Sequence, residues 1–212
     1  KLDPAKALAP VPQLTDSPLV VVVPKDSPYK TMGDLIAAAR KGTPLAYGSA
    51  GNGSSMHIAG ASLALALGGS MTHVPYKGSG PAIQDLLAGR LDFMADSRST
   101  TNPHIKSGTL RALALTGPKR VEDLPDVAEA GVPGFSVTTW QAVVVPAGTP
   151  RPVIDKLASA LRDTLKDPVV RERFASINTP LVGSTPDEFA VFLDKERKAA
   201  KELIERARIR ID

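Results

Sequence analysis

The sequence predicts an α/β fold, a mostly parallel sheet flanked by helices. Short apolar runs alternate with amphipathic helical stretches between residues 19 and 115. The run at 19–23 is apolar without alternation, as in a strand covered on both faces. Turns rich in Gly, Ser or Pro separate runs from helices at the spacing of repeated β-α units.

Each element follows from its residues. The β-branched run at 19–23 closes at Pro24 and reads as a buried strand. A helix is expected over 31–40, ended near Gly42, then a strand at 45–47. Met56, Ala59, Gly60, Leu63 and Leu67 recur at steps of three and four, which marks one face of a helix over 55–67. A strand at 71–75 follows. Ser79 and Pro81 open a short helix over 80–88 that stops at Gly89. A strand at 91–94, a turn or two of helix from Asn102-Pro103 to Gly108, and a strand at 110–115 complete the alternation. Residues 117–139 hold prolines and glycines without periodicity and read as a long loop.

A strand at 140–145 leads into three helices. Thr149-Pro150 and Asp167-Pro168 open the first two. Thr185-Pro186-Asp187-Glu188 has the form of a capping box for the third, which carries Phe189, Phe192, Leu193, Leu203 and Ile204. These apolar faces need a sheet or another helix layer. The strands before residue 115 already have helices of their own, so the last helices look short of a partner.

Composition narrows the function. Of 212 residues, 42% are hydrophobic and 23% charged, ordinary values for a globular protein. No apolar run is long enough to span a membrane. Residues 1–12 lack the basic start and apolar middle of a signal peptide, so any such segment is expected to be removed or absent. The absence of cysteine excludes disulfides and thiol chemistry and is compatible with an oxidising compartment. The net charge of +4 is spread through alternating runs such as Lys195-Glu196-Arg197-Lys198, a solvated helix face. Aromatics make up only 4%, so stacking platforms are scarce and no nucleic-acid partner is expected.

The stretch 48–55 carries the most chemistry. Its residues are Gly or Ser except Ala50 and Asn52, and it joins a strand to a helix N-terminus. Glycine lets the backbone approach a ligand, and first-turn N–H groups lack intrahelical partners, so the pattern suits an anion. Ser54 stands where a P-loop needs lysine after Gly48-x-x-x-x-Gly53, which argues against triphosphates. Met56 stands where the dinucleotide pattern needs its last glycine. Hydrogen-bond donors without a fixed cation suit a carboxylate; an ordinary strand–helix turn is the alternative.

A second glycine-bearing loop, Tyr76-Lys77-Gly78-Ser79, also joins a strand to a helix. In a parallel sheet both loops lie at the carboxyl edge, where ligands bind. Asp96, in a third loop, could offer a carboxylate to the same crevice or serve as a turn residue. Catalysis finds little support. Gly-x-Ser-x-Gly does not occur, and His57, His73 and His104 lack metal-ligand spacing. His57, in the first turn of its helix, is the only candidate base near the glycine loop.

Several stretches together carry a family resemblance: Gly48-Ser49-Ala50-Gly51-x-Gly53-Ser54-x-x-His57, His73-Val74-Pro75-Tyr76-Lys77-Gly78, and Pro103-His104-Ile105-Lys106-x-Gly108. Glu129-Ala130-Gly131-x-Pro133-Gly134 and Pro146-Ala147-Gly148-Thr149-Pro150 extend it. The chain resembles the solute-binding subunits of tripartite tricarboxylate transporters, the Bug family, over essentially its whole length. The resemblance implies a periplasmic-binding-protein-like (type II) fold with two lobes. It implies capture of a small carboxylated solute in the periplasm and delivery to membrane permease subunits, with no cofactor, no metal and no catalysis. Residues 20–139 are then the second lobe; 1–19 and 140–212 are a partial first lobe, with 19–23 and 140–145 at the linking strands.

By the same resemblance the ligand-binding residues are Ser49, Ala50, Gly51, Asn52, Gly53, Ser54, Ser55, His57, Tyr76, Lys77, Gly78, Ser79 and Asp96. Lys1-Leu2-Asp3-Pro4 matches a point well inside the family, so about a hundred N-terminal residues are expected to lie outside this chain. Ala95-Asp96-Ser97 departs from the family's usual aromatic-Asp-Asn, at a loop that helps choose the solute. Two other readings stay open: an enzyme of the same architecture acting on a small anion, and a sensor or assembly module that self-associates through exposed C-terminal helices.

Overall fold

The computed structural model describes residues 3–68, 70–117, 124–207 and 209. Lys1, Leu2 and residues 118–123 of the expected loop lie outside the described residues. The elements run α1 (Pro4–Ala7), β1 (Leu8–Pro18), β2 (Val20–Pro24), α2 (Met32–Arg40), β3 (Leu45–Ser49), α3 (Ser55–Leu67), β4 (Met71–Pro75) and α4 (Ser79–Leu87). They continue with β5 (Phe93–Asp96), α5 (Arg98–Lys106), β6 (Leu110–Leu115), β7 (Thr138–Pro146), α6 (Arg151–Thr164), α7 (Pro168–Ser176) and α8 (Pro186–Ala207). The described residues fall into two units. One takes Lys1–Asp16 and Trp140–Lys201; the other takes Ser17–Thr139 and Glu202–Asp212.

The larger unit is built on a five-stranded sheet of order β4-β3-β5-β2-β6. β3 pairs parallel with β4 and β5, whereas β2 runs antiparallel to both β5 and β6. Four strands thus share one direction. Alternation along β2 divides the core. Val21 and Val23 join Leu35, Ile36, Leu63 and Phe93 on the face covered by α2 and α3. Val20 and Val22 join Ile83, Leu86 and Leu110 on the face covered by α4. Burial of each such side chain contributes about 1.5–3 kcal/mol before chain entropy is counted.

A run apolar on both faces needs cover on both faces, and β2 accordingly lies inside the sheet. The passage between units falls between Asp16 and Ser17 and between Thr139 and Trp140. β1, which pairs with β7, lay hidden behind Pro10, Pro12 and Pro18, since proline donates no ladder hydrogen bond. The helix expected to open at Asn102-Pro103 begins at Arg98 after Ser97, with Pro103 inside it.

The smaller unit has a modest core of Val11, Ile154 and Ala158, with Val143, Val145 and Leu161 packed against it. The Thr185–Glu188 capping box is formed in both directions. Phe189 is fully buried and packs edge-on against Trp140, while Phe192, Leu193, Leu203 and Ile204 are half-buried. The apolar face of α8 is therefore neither wholly covered nor one bare patch. Val153 and Leu157 on α6, Val169 on α7 and Val191 on α8 remain exposed.

Candidate functional site

β3, β4 and β5 end at the same edge of the sheet, because Ser49 pairs with Pro75 and Gly48 with Met94 in parallel register. The loops at 50–54 and 76–78 and the turn at Asp96 leave from this edge. Backbone bonds stitch the two glycine loops together: Tyr76 N–H donates to the Ser49 carbonyl (3.1 Å) and Gly78 N–H to the Ala50 carbonyl (3.2 Å). Gly51, at φ +132°, lets its backbone approach Tyr76; a Cβ there would lie 3.2 Å from the Tyr76 carbonyl oxygen. Gly78, at φ +107°, turns the second loop into α4.

Many of the first loop's polar groups are committed inward. Ser49 is fully buried, and its hydroxyl accepts from Gly51 N–H (3.1 Å) and lies 2.6 Å from His73 Nε2. Gly53 N–H donates to His57 Nδ1 (3.1 Å). Ser54 is the N-cap of α3, accepting from His57 N–H and donating to the Gly51 carbonyl. Ser55 donates to Thr139 Oγ1 (3.3 Å). Ala50 and Gly51 are half-buried, and Asn52 is exposed.

The second loop is less enclosed. Its Tyr76 hydroxyl turns aside and donates to Asp85 Oδ2 (2.7 Å), which also takes the Arg90 guanidinium at 2.7 Å through its other oxygen. Lys77 is exposed. No side chain caps α4, so its first-turn N–H groups stay open to an acceptor. Ser79, at the start of that helix, lies near Asp96 and favours its charged form. Asp96 is fully buried, and its Oδ1 also accepts the Ser97 N–H at 2.6 Å. Burial pushes the Asp96 carboxyl up from its ordinary value, and the Ser97 N–H and the nearby Ser79 hydroxyl pull against that shift.

The structure thus gathers residues 49–55, 76–79 and Asp96 at one edge, with His57 beneath the first loop rather than at its rim. Sequence reasoning passed over three neighbours. Arg98, 5% exposed, places a buried guanidinium at the start of α5, two residues beyond Asp96. Thr116, 1% exposed, accepts from Leu19 N–H (2.9 Å) and donates to the Val137 carbonyl (2.6 Å), which braces the chain as it enters and leaves this unit. His73, noted in the sequence for its motif but given no role at the site, stacks face to face on His57. No sequence signal reveals it, because the register that sets His73 opposite Tyr47 is fixed by the pairing of β3 with β4.

Among the described residues, no group of three or more His, Cys, Asp or Glu side chains is placed to hold a metal ion. No helix of the described residues is long and apolar enough to cross a membrane. His57 Nδ1, the nitrogen nearest the loop backbone, already accepts a hydrogen bond. An edge made of backbone donors, hydroxyls and a buried acid suits reversible capture of a small polar solute.

A parallel sheet with paired glycine loops at its carboxyl edge defines an α/β small-molecule-binding unit. Comparison with known proteins makes the assignment particular: the chain belongs to the tripartite tricarboxylate transporter family of receptors, whose pattern matches residues 1–209. It is 41% identical over 180 residues to the UPF0065 protein in the TAR-I ttuE-ttuC' intergenic region of Agrobacterium vitis, covering 83% of this chain and 52% of that relative. Among solved structures it is similar to R. palustris Rpa4515 with adipate: TM-score 0.88, 31% identity, 98% of this chain and 71% of that one. It is also similar to the periplasmic binding protein BugD: TM-score 0.85, 31% identity, with the same coverages. The fold is the type II periplasmic-binding-protein fold. The chain spans about half the length of the A. vitis relative (52%).

Proposed function

We propose that this chain supplies a solute-binding surface of a periplasmic receptor, which takes a small di- or tricarboxylate and hands it to membrane permease subunits. The supporting observation is the stitching of the two glycine loops, which holds two helix N-termini side by side at one sheet edge. One ligand carboxylate accepts from backbone N–H groups of the first loop other than those of Gly51, Gly53 and Ser54, which are already taken, and from the uncapped start of α4. Lys77 adds a mobile positive charge at the rim, and the Asp96 turn sets what the far end of the solute meets. Residues 20–139 act as one ligand-binding lobe, and ligand acts by favouring the closed form of the receptor over the open one. The chain binds and releases; it carries out no reaction on the solute.

The test is an amide-resolved NMR titration with adipate, succinate and citrate, with dimethyl adipate as the uncharged control. The expected result is movement of the 50–55 and 76–79 amides by an acid at about millimolar concentration, corresponding to roughly 4 kcal/mol of binding. If no acid moves these amides up to tens of millimolar, or the diester moves them equally, the reading fails.

A second reading has one observation in its favour. Val153, Leu157, Val169 and Val191 leave apolar surface on three helices. On that reading the chain self-associates through its C-terminal helices, and a strictly monomeric mass by light scattering at high concentration removes it.

A further inference from the structure

Two imidazoles lie under the first glycine loop and hold it from both ends. His57 and His73 stack with ring centroids 3.7 Å apart and planes 7° from parallel. His57, from the first turn of α3, accepts the Gly53 N–H at Nδ1 (3.1 Å). His73, from β4, meets the Ser49 hydroxyl at Nε2 (2.6 Å), and that hydroxyl also takes the Gly51 N–H. We propose that this pair is a proton-sensitive latch: while both rings are neutral it holds the 48–54 loop in shape for a ligand, and on taking up a proton it lets the loop go. The effect on solute capture rests on the carboxylate-binding reading above; the latch itself rests on geometry alone.

The chemistry is directional. A backbone N–H can donate only to a ring nitrogen that keeps its lone pair, so the Gly53 bond places the His57 proton on Nε2. Protonation of Nδ1 sets one N–H against another and removes that bond. Two cationic rings cannot remain parallel at 3.7 Å, so uptake of a second proton drives the rings apart.

The surroundings do not offset this. Tyr47, from β3, stacks on His73 at 5.1 Å and is itself backed by Phe93 from β5. Tyr47 is neutral, its hydroxyl pushed up to about 12 by burial. Beyond α3, Ala207 and Ile209 approach the same place and bring no charge. Neither ring has a carboxylate partner among the described residues. Burial and the neighbouring ring hold His73 down at about 4, and burial lowers His57. A cavity of about 620 Å³ beside the rings, lined in part by Tyr47, Asn52, Met71 and Ile209, gives a released ring room to turn.

The decisive experiment needs no ligand. In the labelled full chain, the Gly53 amide and the His57 and His73 ring carbons are followed by NMR from neutral to acidic pH. The expected result is one coupled transition in which the Gly53 amide moves with the His57 ring, below the ordinary histidine midpoint of about 6.5. A Gly53 amide that stays still while His57 titrates, or two rings that titrate independently at the ordinary midpoint, overturns the latch.

The variant His57→Asn keeps an acceptor near the Nδ1 position but cannot titrate. In it the acid-induced movement of Gly53 should disappear. Adipate then reports the consequence. Its own ionisation is the same for both proteins, so the readout is the ratio of affinities at two pH values within each one. The wild type should lose up to about tenfold more per pH unit than His57→Asn. Equal pH dependence in the two proteins refutes the latch. If adipate binds neither protein at neutral pH, the carboxylate reading fails, and the latch is decided by the ligand-free titration.

Discussion

Gly60, in the middle of α3, lies directly against the Tyr47 ring of the sheet, and replacing it with alanine gives a quantitative test of that packing. A Cβ at this position would lie 2.2 Å from Tyr47 Cε2, 2.3 Å from Cδ2 and 2.9 Å from Cζ. Carbon atoms settle at about 3.5–4.0 Å, so helix and ring must part by more than roughly 1 Å. The ring is not free to yield: Tyr47 is 3% exposed and lies between His73 and Phe93. Alanine gains about 1 kcal/mol in helix propensity over glycine, and overpacking costs about 1–3 kcal/mol. With the ring pinned the upper end applies, leaving a net destabilisation of about 1–2 kcal/mol. For a chain of this length, Tm falls by roughly 2–8 °C in scanning calorimetry.

Gly80→Ala is the control. Gly80 lies in α4, and a Cβ there meets nothing within 4 Å. The same substitution there should stabilise by up to about 1 kcal/mol. Tyr47→Leu, made in the Gly60→Ala background, should recover part of the loss, since the two sites share one contact. A Gly60→Ala protein as stable as the wild type would refute the packing argument.

Two other substitutions follow from the described contacts. Thr116→Val strands the Leu19 N–H and weakens the hold on Val137, and should cost about 2–3 kcal/mol in guanidinium unfolding; a neutral result would show that the hydroxyl braces nothing. Phe189→Ala empties the pocket beside Trp140 and should cost about 3–5 kcal/mol. Trp140 is the only tryptophan, so its emission should shift to the red, and unchanged emission would contradict the packing described.

Acid should destabilise the fold in two stages. His57 and His73 are held below their ordinary value, so the unfolded chain takes up protons first as pH falls below about 6.5. Their contribution is complete above that pH and is lost on the way down, to about 4 for His73, by at most about one log unit in folding constant per histidine per pH unit. The carboxyls of Asp34, Asp85 and Glu188, held low by hydrogen bonds, lose theirs at lower pH still. The raised Asp96 carboxyl runs the opposite way, because its burial is relieved on protonation. A Tm unchanged between about pH 7 and pH 5 would show that the histidines titrate alike in both states.

The fold was legible where local chemistry and tertiary packing agree. The helix over 55–67 and the strands at 71–75 and 110–115 have the bounds their periodicity and flanking residues indicate. Disagreement arose where a residue's local preference is overruled. Pro10, Pro12 and Pro18 argue against a strand, yet β7 is the one strand paired with β1 among the described residues, and its other edge meets only the short 180–184 segment, so β1 does not need all its N–H groups. Pro103 looks like a helix start because proline suits the first turn, but Ser97 and the turn after Asp96 begin α5 earlier.

At the candidate site, the loops and their placement at one edge follow from strand-then-glycine order. The direction in which side chains turn does not. Tyr76 looks outward in sequence and is taken by Asp85, nine residues on. Ser49 looks like a loop hydroxyl and is fully buried against His73. The stacking of His57 on His73 depends on the exact approach of α3 to β4, which spacing alone leaves free.

The position of β2 has a consequence for how the chain comes to be folded. It is the first strand of its sheet in the sequence, yet its neighbours β5 and β6 are the last. Val20 has no partner until Asp96 on one side and Leu115 on the other are present. As the chain emerges, Val20–Val23 is a β-branched apolar segment with both edges open, and distant pairings of this kind form slowly. Pro24, Lys25 and Asp26 follow it immediately. A proline and two charges at the end of such a segment oppose its pairing with another chain during that interval.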